Sequence, residues 1–275
     1  MRKPRALRPG DRVAVVSPAS PFKREEFQAG LVELRALGFE PVFEESVFAR
    51  QGYVSGAAEI RAAAFSRAWA DPEIAAVVAV RGGYGSVQLL PLLDRDAIAD
   101  HPKAFIGYSD NTSLLCWLTL NCGIVSFHGP MVEGRLARGE AGYDRDTFIR
   151  CLCRAEPAGD IVHPNVETIV PGEATGMLLG GTLTQLTASL GTPYAFDPPD
   201  RFVLFLDEVG ERPFRIDRML TQLRLSGILA RASAVVFGEL PRCDEPESQP
   251  TARSMVAGVM EEFRGPVLFG LPSGH

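Results

Sequence analysis

The chain has 275 residues, 46% hydrophobic and 23% charged, enough to bury a large core in one or two domains. Lys and Arg number 28 against 34 Asp and Glu, a net charge of −6, and no basic run is long enough to follow a phosphate backbone, so nucleic acid is not an expected partner. Cys116, Cys122, Cys151, Cys153 and Cys243 are an odd set without paired metal-ligand spacing, read as reduced thiols and not as a disulfide frame or a zinc site; the apolar run at 13–16 is too short for a secretion signal or a membrane span, so a soluble, cytoplasmic protein is expected.

RVAVV at 12–16 reads as a first buried strand, closing on the loop Ser17-Pro18-Ala19-Ser20-Pro21. Apolar residues at Phe27, Leu31, Leu34 and Leu37 mark a helix that stops at Gly38. A short strand is expected at 41–43, an alanine-rich helix at 57–70, and a strand buried on both faces in IAAVVAV at 74–80. Strand and helix alternating in this way predict a doubly wound α/β layer, whose sites form at the carboxyl ends of its strands.

The strand at 74–80 runs into Arg81-Gly82-Gly83-Tyr84-Gly85-Ser86. Glycines there allow close approach of backbone amides to an oxyanion or a phosphate, although a plain tight turn fits as well, and neither glycine-rich nucleotide motif is met. A helix is expected near 87–93. AFIG at 104–107 then meets Tyr108-Ser109-Asp110-Asn111-Thr112 and a stretch with helical spacing at Leu114, Leu115 and Leu118. Strand, sharp turn, helix is the setting of a raised nucleophile beside free helix amides. Ser109 fits that role or that of an ordinary N-cap, with Asn111 standing where G-x-S-x-G has its second glycine. A short strand at 123–127 leads to His128, read as structural.

Residues 133–159 are polar, with a helix expected at 143–155 and a linker at 156–160. Beyond it, turns and short strands around 172–183 precede an apolar helix to Leu190. FVLFL at 202–206 is a strand that ends on Asp207-Glu208-Val209-Gly210-Glu211, carboxylates that form either a second candidate site or a solvated strand end. A helix at 215–225, a strand at 234–238, a helix at 254–263 and the closing segment VLFGLPSGH complete the reading, without internal repeats.

RGGYGS at 81, FIGYSDNTSLL at 105, SFHGPM at 126, GMLLGGTLTQL at 176, LFLDEVGERPFRIDRMLTQL at 204 and GLPSGH at 270 together resemble the LD-carboxypeptidase family of serine peptidases, in family order over nearly the whole chain. The resemblance implies an N-terminal α/β domain with a doubly wound, mostly parallel sheet carrying the serine, at residues 1–158. It also implies a smaller C-terminal α/β domain of short strands carrying an acid and a histidine, at 159–275. The implied activity is Ser-Glu-His hydrolysis of the amide between the L-centre of a diamino acid and a terminal D-alanine in murein tetrapeptides, in cytoplasmic cell-wall recycling. It needs no cofactor or metal, takes a muropeptide as small-molecule partner, and comes with a homodimer. A sister branch cleaves amides of peptide-nucleotide antibiotics.

By the same resemblance Ser109 is the nucleophile, Asp110 and the loop at Gly83 supply the oxyanion amides, and His275 is the general base. Arg81 or the amides of the loop at 17–20 would hold the substrate's terminal carboxylate. The orienting acid falls on Asp207, where the family has Glu followed by Asp; strand neighbours point to opposite faces, so Glu208 serves only if the strand end is remodelled. Family members continue for a few tens of residues past the GLPSGH histidine, so a truncated form is expected. Asp207 and the chain end also motivate a third reading, a catalytically silent muropeptide-binding protein.

Overall fold

The computed structural model describes residues 1–246 and 249–274, in two compact units, Met1–Asp160 and Ile161–Ser273. The first is built on β1 (Arg12–Val16), α1 (Arg24–Ala36), β2 (Glu40–Val42), α2 (Ala58–Ala70), β3 (Ile74–Ala79), α3 (Arg95–Asp100), β4 (Ala104–Gly107), α4 (Thr112–Leu120), β5 (Phe127–His128) and α5 (Arg145–Cys153). Its sheet is parallel throughout, in the order β2-β1-β3-β4-β5. Every residue of β3 and β4 is buried, which explains why their sequences are unbroken apolar runs and not alternating ones. One core cluster takes Phe27, Leu31 and Leu34 from α1, Val13 and Val15 from β1, Val78 from β3 and Ile106 from β4.

The second unit contains β6 (Glu167–Val170), β7 (Leu178–Thr182), α6 (Leu183–Ser189), β8 (Phe202–Asp207), α7 (Pro213–Leu225), α8 (Ile228–Arg231), β9 (Ala232–Gly238), α9 (Ala252–Met260) and β10 (Val267–Leu271). Its sheet order is β6-β10-β9-β8-β7, parallel except for the antiparallel edge strand β6. No helix among the described residues is long and apolar enough to cross a membrane.

Local differences from expectation have local causes. The helix expected near 87–93 is a 3₁₀ segment, Ser86–Leu92, because Pro91 removes an amide from its interior. The strand expected at 123–127 shrinks to Phe127–His128, since Gly123 takes a left-handed φ of 68° and Ile124 is drawn instead into a bridge with Arg2. The helix expected from 143 starts two residues later, where the Asp144 side chain accepts the Thr147 amide as an N-cap.

Candidate active site

β4 ends on Gly107, where a Cβ would crowd Asn111 Cβ at 3.1 Å and Ala79 Cβ at 3.4 Å. Tyr108 is extended, and Ser109 follows at φ 61°. A left-handed conformation costs an L-residue about 1–2 kcal/mol and persists only where its surroundings enforce it. Asn111 is one enforcer: its amide nitrogen donates to the carbonyls of Arg81 (3.1 Å) and Tyr108 (3.2 Å). The residue that breaks the glycine pattern is therefore a tie between the serine turn and the loop after β3.

Asp110 is the other. It is 2% exposed; its Oδ2 accepts the Ser86 amide at 2.8 Å, and its carbonyl accepts the Ser86 hydroxyl at 2.5 Å. Burial raises its pKa above the ordinary carboxylate range, opposed by the Ser86 and Gly85 amides and by the charge of Arg61.

The loop after β3 passes directly over the serine. A Cβ on Gly82 would stand 2.8 Å from Ser109 Cβ, 2.9 Å from its hydroxyl oxygen and 3.3 Å from the Asp110 amide nitrogen. Gly83 (φ 101°) and Gly85 (φ 125°) follow in conformations that favour glycine. Arg81 pairs with Glu133 at 3.1 Å and donates to the Pro21 carbonyl at 3.0 Å. Beside the glycines stand the exposed rings of Tyr53 and Tyr84, edge to face at 5.6 Å.

In the second unit Asp207 closes β8, fully buried, and Glu208 is 4% exposed, which rules out a solvated strand end. The two carboxylates do different work. Glu208 Oε2 accepts the Thr184 amide (2.9 Å) and hydroxyl (2.7 Å) in the first turn of α6, and its Oε1 accepts the Val209 amide at 3.0 Å. Asp207 Oδ1 accepts the Glu208 amide at 3.0 Å and lies against Gly238 at the end of β9, where a Cβ would stand 2.8 Å from it. The same missing side chain makes room for the hydroxyl of Ser273, in the GLPSGH motif. His275, the expected base, lies outside the described residues.

Ser86, Arg61 and Thr184 were given no role in the sequence reading, and Ser20 entered it only through the amides of the loop at 17–20. The one available signal was Arg61, a lone cation on an apolar stripe of the alanine-rich helix with Ala62, Phe65 and Trp69.

The profile of the LD-carboxypeptidase N-terminal domain matches residues 13–129, and that of the LD-carboxypeptidase C-terminal domain matches residues 175–275. A protein of Streptomyces coelicolor is 37% identical over 281 residues, covering 99% of this chain and 88% of its own. The murein tetrapeptide carboxypeptidase of Pseudomonas aeruginosa is 31% identical, covering 96% and 88%. The crystal structure of muramoyltetrapeptide carboxypeptidase from Oxalobacter formigenes superposes with a TM-score of 0.81 at 28% identity, covering 96% of this chain and 89% of that one. The microcin C7 self-immunity protein MccF of Escherichia coli, in a structure with aspartyl sulfamoyl adenosine, gives 0.88 at 25% identity, covering 98% and 89%.

Proposed function

The chain belongs to the LD-carboxypeptidase family, and on that premise we propose that it is a serine carboxypeptidase releasing terminal D-alanine from murein tetrapeptides. The observation that carries this reading is Ser109, held at φ 61° at the end of β4 with the Gly82 backbone against its hydroxyl. A free serine is a poor nucleophile, so His275 takes its proton as Oγ attacks the scissile carbonyl of the L-centre. Asp207 fixes the histidine tautomer and stabilises the imidazolium. The tetrahedral oxyanion is met by the amides of Asp110 and Gly83. His275 then passes the proton to the departing D-alanine amine, and a water activated by the same histidine hydrolyses the acyl-serine to free the tripeptide.

Glu208 is assigned to holding α6 and Asp207 to the histidine, because Glu208 already accepts bonds from Thr184 and Val209. Arg81 has donors beyond those engaged by Glu133 and Pro21, and is assigned to the terminal carboxylate of D-alanine. Cytoplasmic cell-wall recycling by a homodimer is the setting this assignment implies.

Ser109→Ala should lower D-alanine release from the tetrapeptide by at least about 10³-fold with the fold retained; equal release by the two proteins would overturn the reading. A second reading, cleavage of peptide-nucleotide amides, is favoured by the exposed Tyr53 and Tyr84 rings beside the glycine loop, which could stack on a base. Turnover of an aminoacyl sulfamoyl adenosine in preference to the tetrapeptide would select it.

A further inference from the structure

A loop with glycines at 82, 83 and 85 has no intrinsic reason to keep one shape, since glycine loses more conformational freedom on ordering than any other residue. Here the loop is clamped from two sides, by residues that do not belong to it.

On one side stands Ser20, from the loop after β1. Its amide donates to the Gly82 carbonyl at 3.2 Å. Its hydroxyl accepts the Tyr84 amide at 3.1 Å and donates to the Tyr53 carbonyl at 2.8 Å. A Cβ on Gly83 would stand 2.6 Å from Ser20 Cβ, so the Ser20 side chain packs against the face of Gly83 that lacks one. Gly83 is thereby flanked by two bonds to a single residue.

On the other side stands Arg61, in the first turns of α2 and 4% exposed. Its guanidinium donates to the carbonyls of Gly85 (2.8 Å), Gly56 (3.0 Å) and Pro18, and to the Gln88 side-chain oxygen. These acceptors come from the loop after β1, the segment before α2, and the loop after β3 with its 3₁₀ turn. Among the described residues no carboxylate bonds it. A buried cation spent on neutral carbonyls is a costly way to hold surface loops unless their exact position matters. The carboxylates that act on it at longer range are those of Asp110, the residue next to Ser109, and of Glu59 on its own helix.

We propose that Ser20 and Arg61 are positioning residues of the oxyanion hole: they set the distance from the Gly83 amide to Ser109, so that the loop is preorganised for the tetrahedral intermediate. This rests on the assignment of Ser109 as nucleophile and of the Gly83 and Asp110 amides as oxyanion donors. A preorganised donor acts on the transition state more than on bound substrate, so its displacement lowers kcat and leaves KM in place.

The test is D-alanine release from the tetrapeptide by Ser20→Ala, with Ser20→Thr as the conservative variant. Alongside it runs inhibition by a tripeptide boronic acid carrying boron in place of the scissile carbonyl, whose tetrahedral adduct reads the hole directly. Losing one oxyanion donor costs about 10²–10³-fold, so partial displacement in Ser20→Ala should lower kcat by roughly 10–50-fold with KM within about twofold. The boronate Ki should rise in step with the fall in kcat, and Ser20→Thr should recover most of both. Arg61→Lys keeps the charge but not the planar fork; it should show the same paired loss, and it carries the test should Ser20→Ala not fold. Native kcat and Ki in folded Ser20→Ala and Arg61→Lys would overturn the proposal, as would a rise in KM alone. Ser109→Ala separates the two levels. An active Ser109→Ala removes the site assignment and the proposal with it, whereas an inactive Ser109→Ala beside fully active Ser20→Ala and Arg61→Lys removes only the proposal.

Discussion

Gly82→Ala puts the smallest possible side chain where the glycine loop meets Ser109. The new Cβ would stand 2.8 Å from Ser109 Cβ and 2.9 Å from its hydroxyl oxygen, against an ordinary carbon contact of about 3.5–4.0 Å. Serine and loop must therefore separate by roughly half an ångström or more, and neither can rotate away, since the first atom met is Ser109 Cβ, at the base of its side chain. A misplacement of about 1 Å costs on the order of 10²-fold in rate, so kcat for D-alanine release should fall by about 10–100-fold. Overpacking of this kind costs about 1–3 kcal/mol, and the thermal midpoint of the first unit should drop by about 2–12 °C. Steady-state kinetics on the tetrapeptide at 25 °C, beside a thermal melt, measures both. A folded Gly82→Ala enzyme with native kcat would refute the argument, for it would mean that the glycine loop is not against a working nucleophile.

Exchanging the two buried carboxylates for amides should separate their roles. Asp207→Asn should lose about 10⁴-fold in kcat through the wrong histidine tautomer, while Glu208→Gln should keep its kcat and lose about 1–3 kcal/mol of stability in urea unfolding through the Thr184 contacts; the reverse pattern would move the acid to Glu208. The thiols of Cys116 and Cys122, pushed up to about 12 by burial, should resist alkylation at pH 8, while exposed Cys151 reacts first; peptide mapping after iodoacetamide reads the order. Asp11 accepts both terminal nitrogens of Arg5 and the Arg8 amide, which lowers its pKa, so its contribution to stability is present above the unfolded carboxylate range and is lost as pH falls through the lower folded value. Asp11→Asn should therefore lower stability at pH 7 and flatten the acid limb of a stability profile below about pH 4, where the two proteins converge; an unaltered limb would assign that slope to other groups.

The parts of the site that lie along one stretch of chain were legible in the sequence, and the parts that depend on several loops meeting were not. Strand, glycine, polar cluster and helix at 104–120 announce the Ser109 turn because each step is local: an apolar run, a backbone position without Cβ, helix-starting residues and a periodic stripe. The strand alternation that separates Asp207 from Glu208 is equally local. Arg61 is not. Its position in an alanine-rich helix says that it shares a stripe with Ala62, Phe65 and Trp69, but its acceptors come from Pro18, Gly56, Gly85 and Gln88, and no sequence pattern brings those together. Ser86 is hidden in the same way, as one polar residue after a glycine loop until Asp110 folds over it.

The order of the two acids also follows from what surrounds them. The family order places the longer carboxylate at the strand end and the shorter one after it, and here the two are exchanged. The exchange is consistent with the neighbours each one meets. At 208 the longer arm reaches the amide and the hydroxyl of Thr184 with one oxygen and still turns the other to the Val209 amide, a span that an aspartate, one methylene shorter, would have to give up in part. At 207 the carboxylate lies close enough to the Gly238 backbone that only a glycine fits beneath it, and a longer side chain would have to extend past that contact. A short acid with its own chain amide as one partner has few rotamers left. What it gives up in reach it regains in fixed direction, and the role proposed for Asp207 asks for direction, because an acid in that role holds an imidazole in one tautomer and one plane without itself taking up the proton.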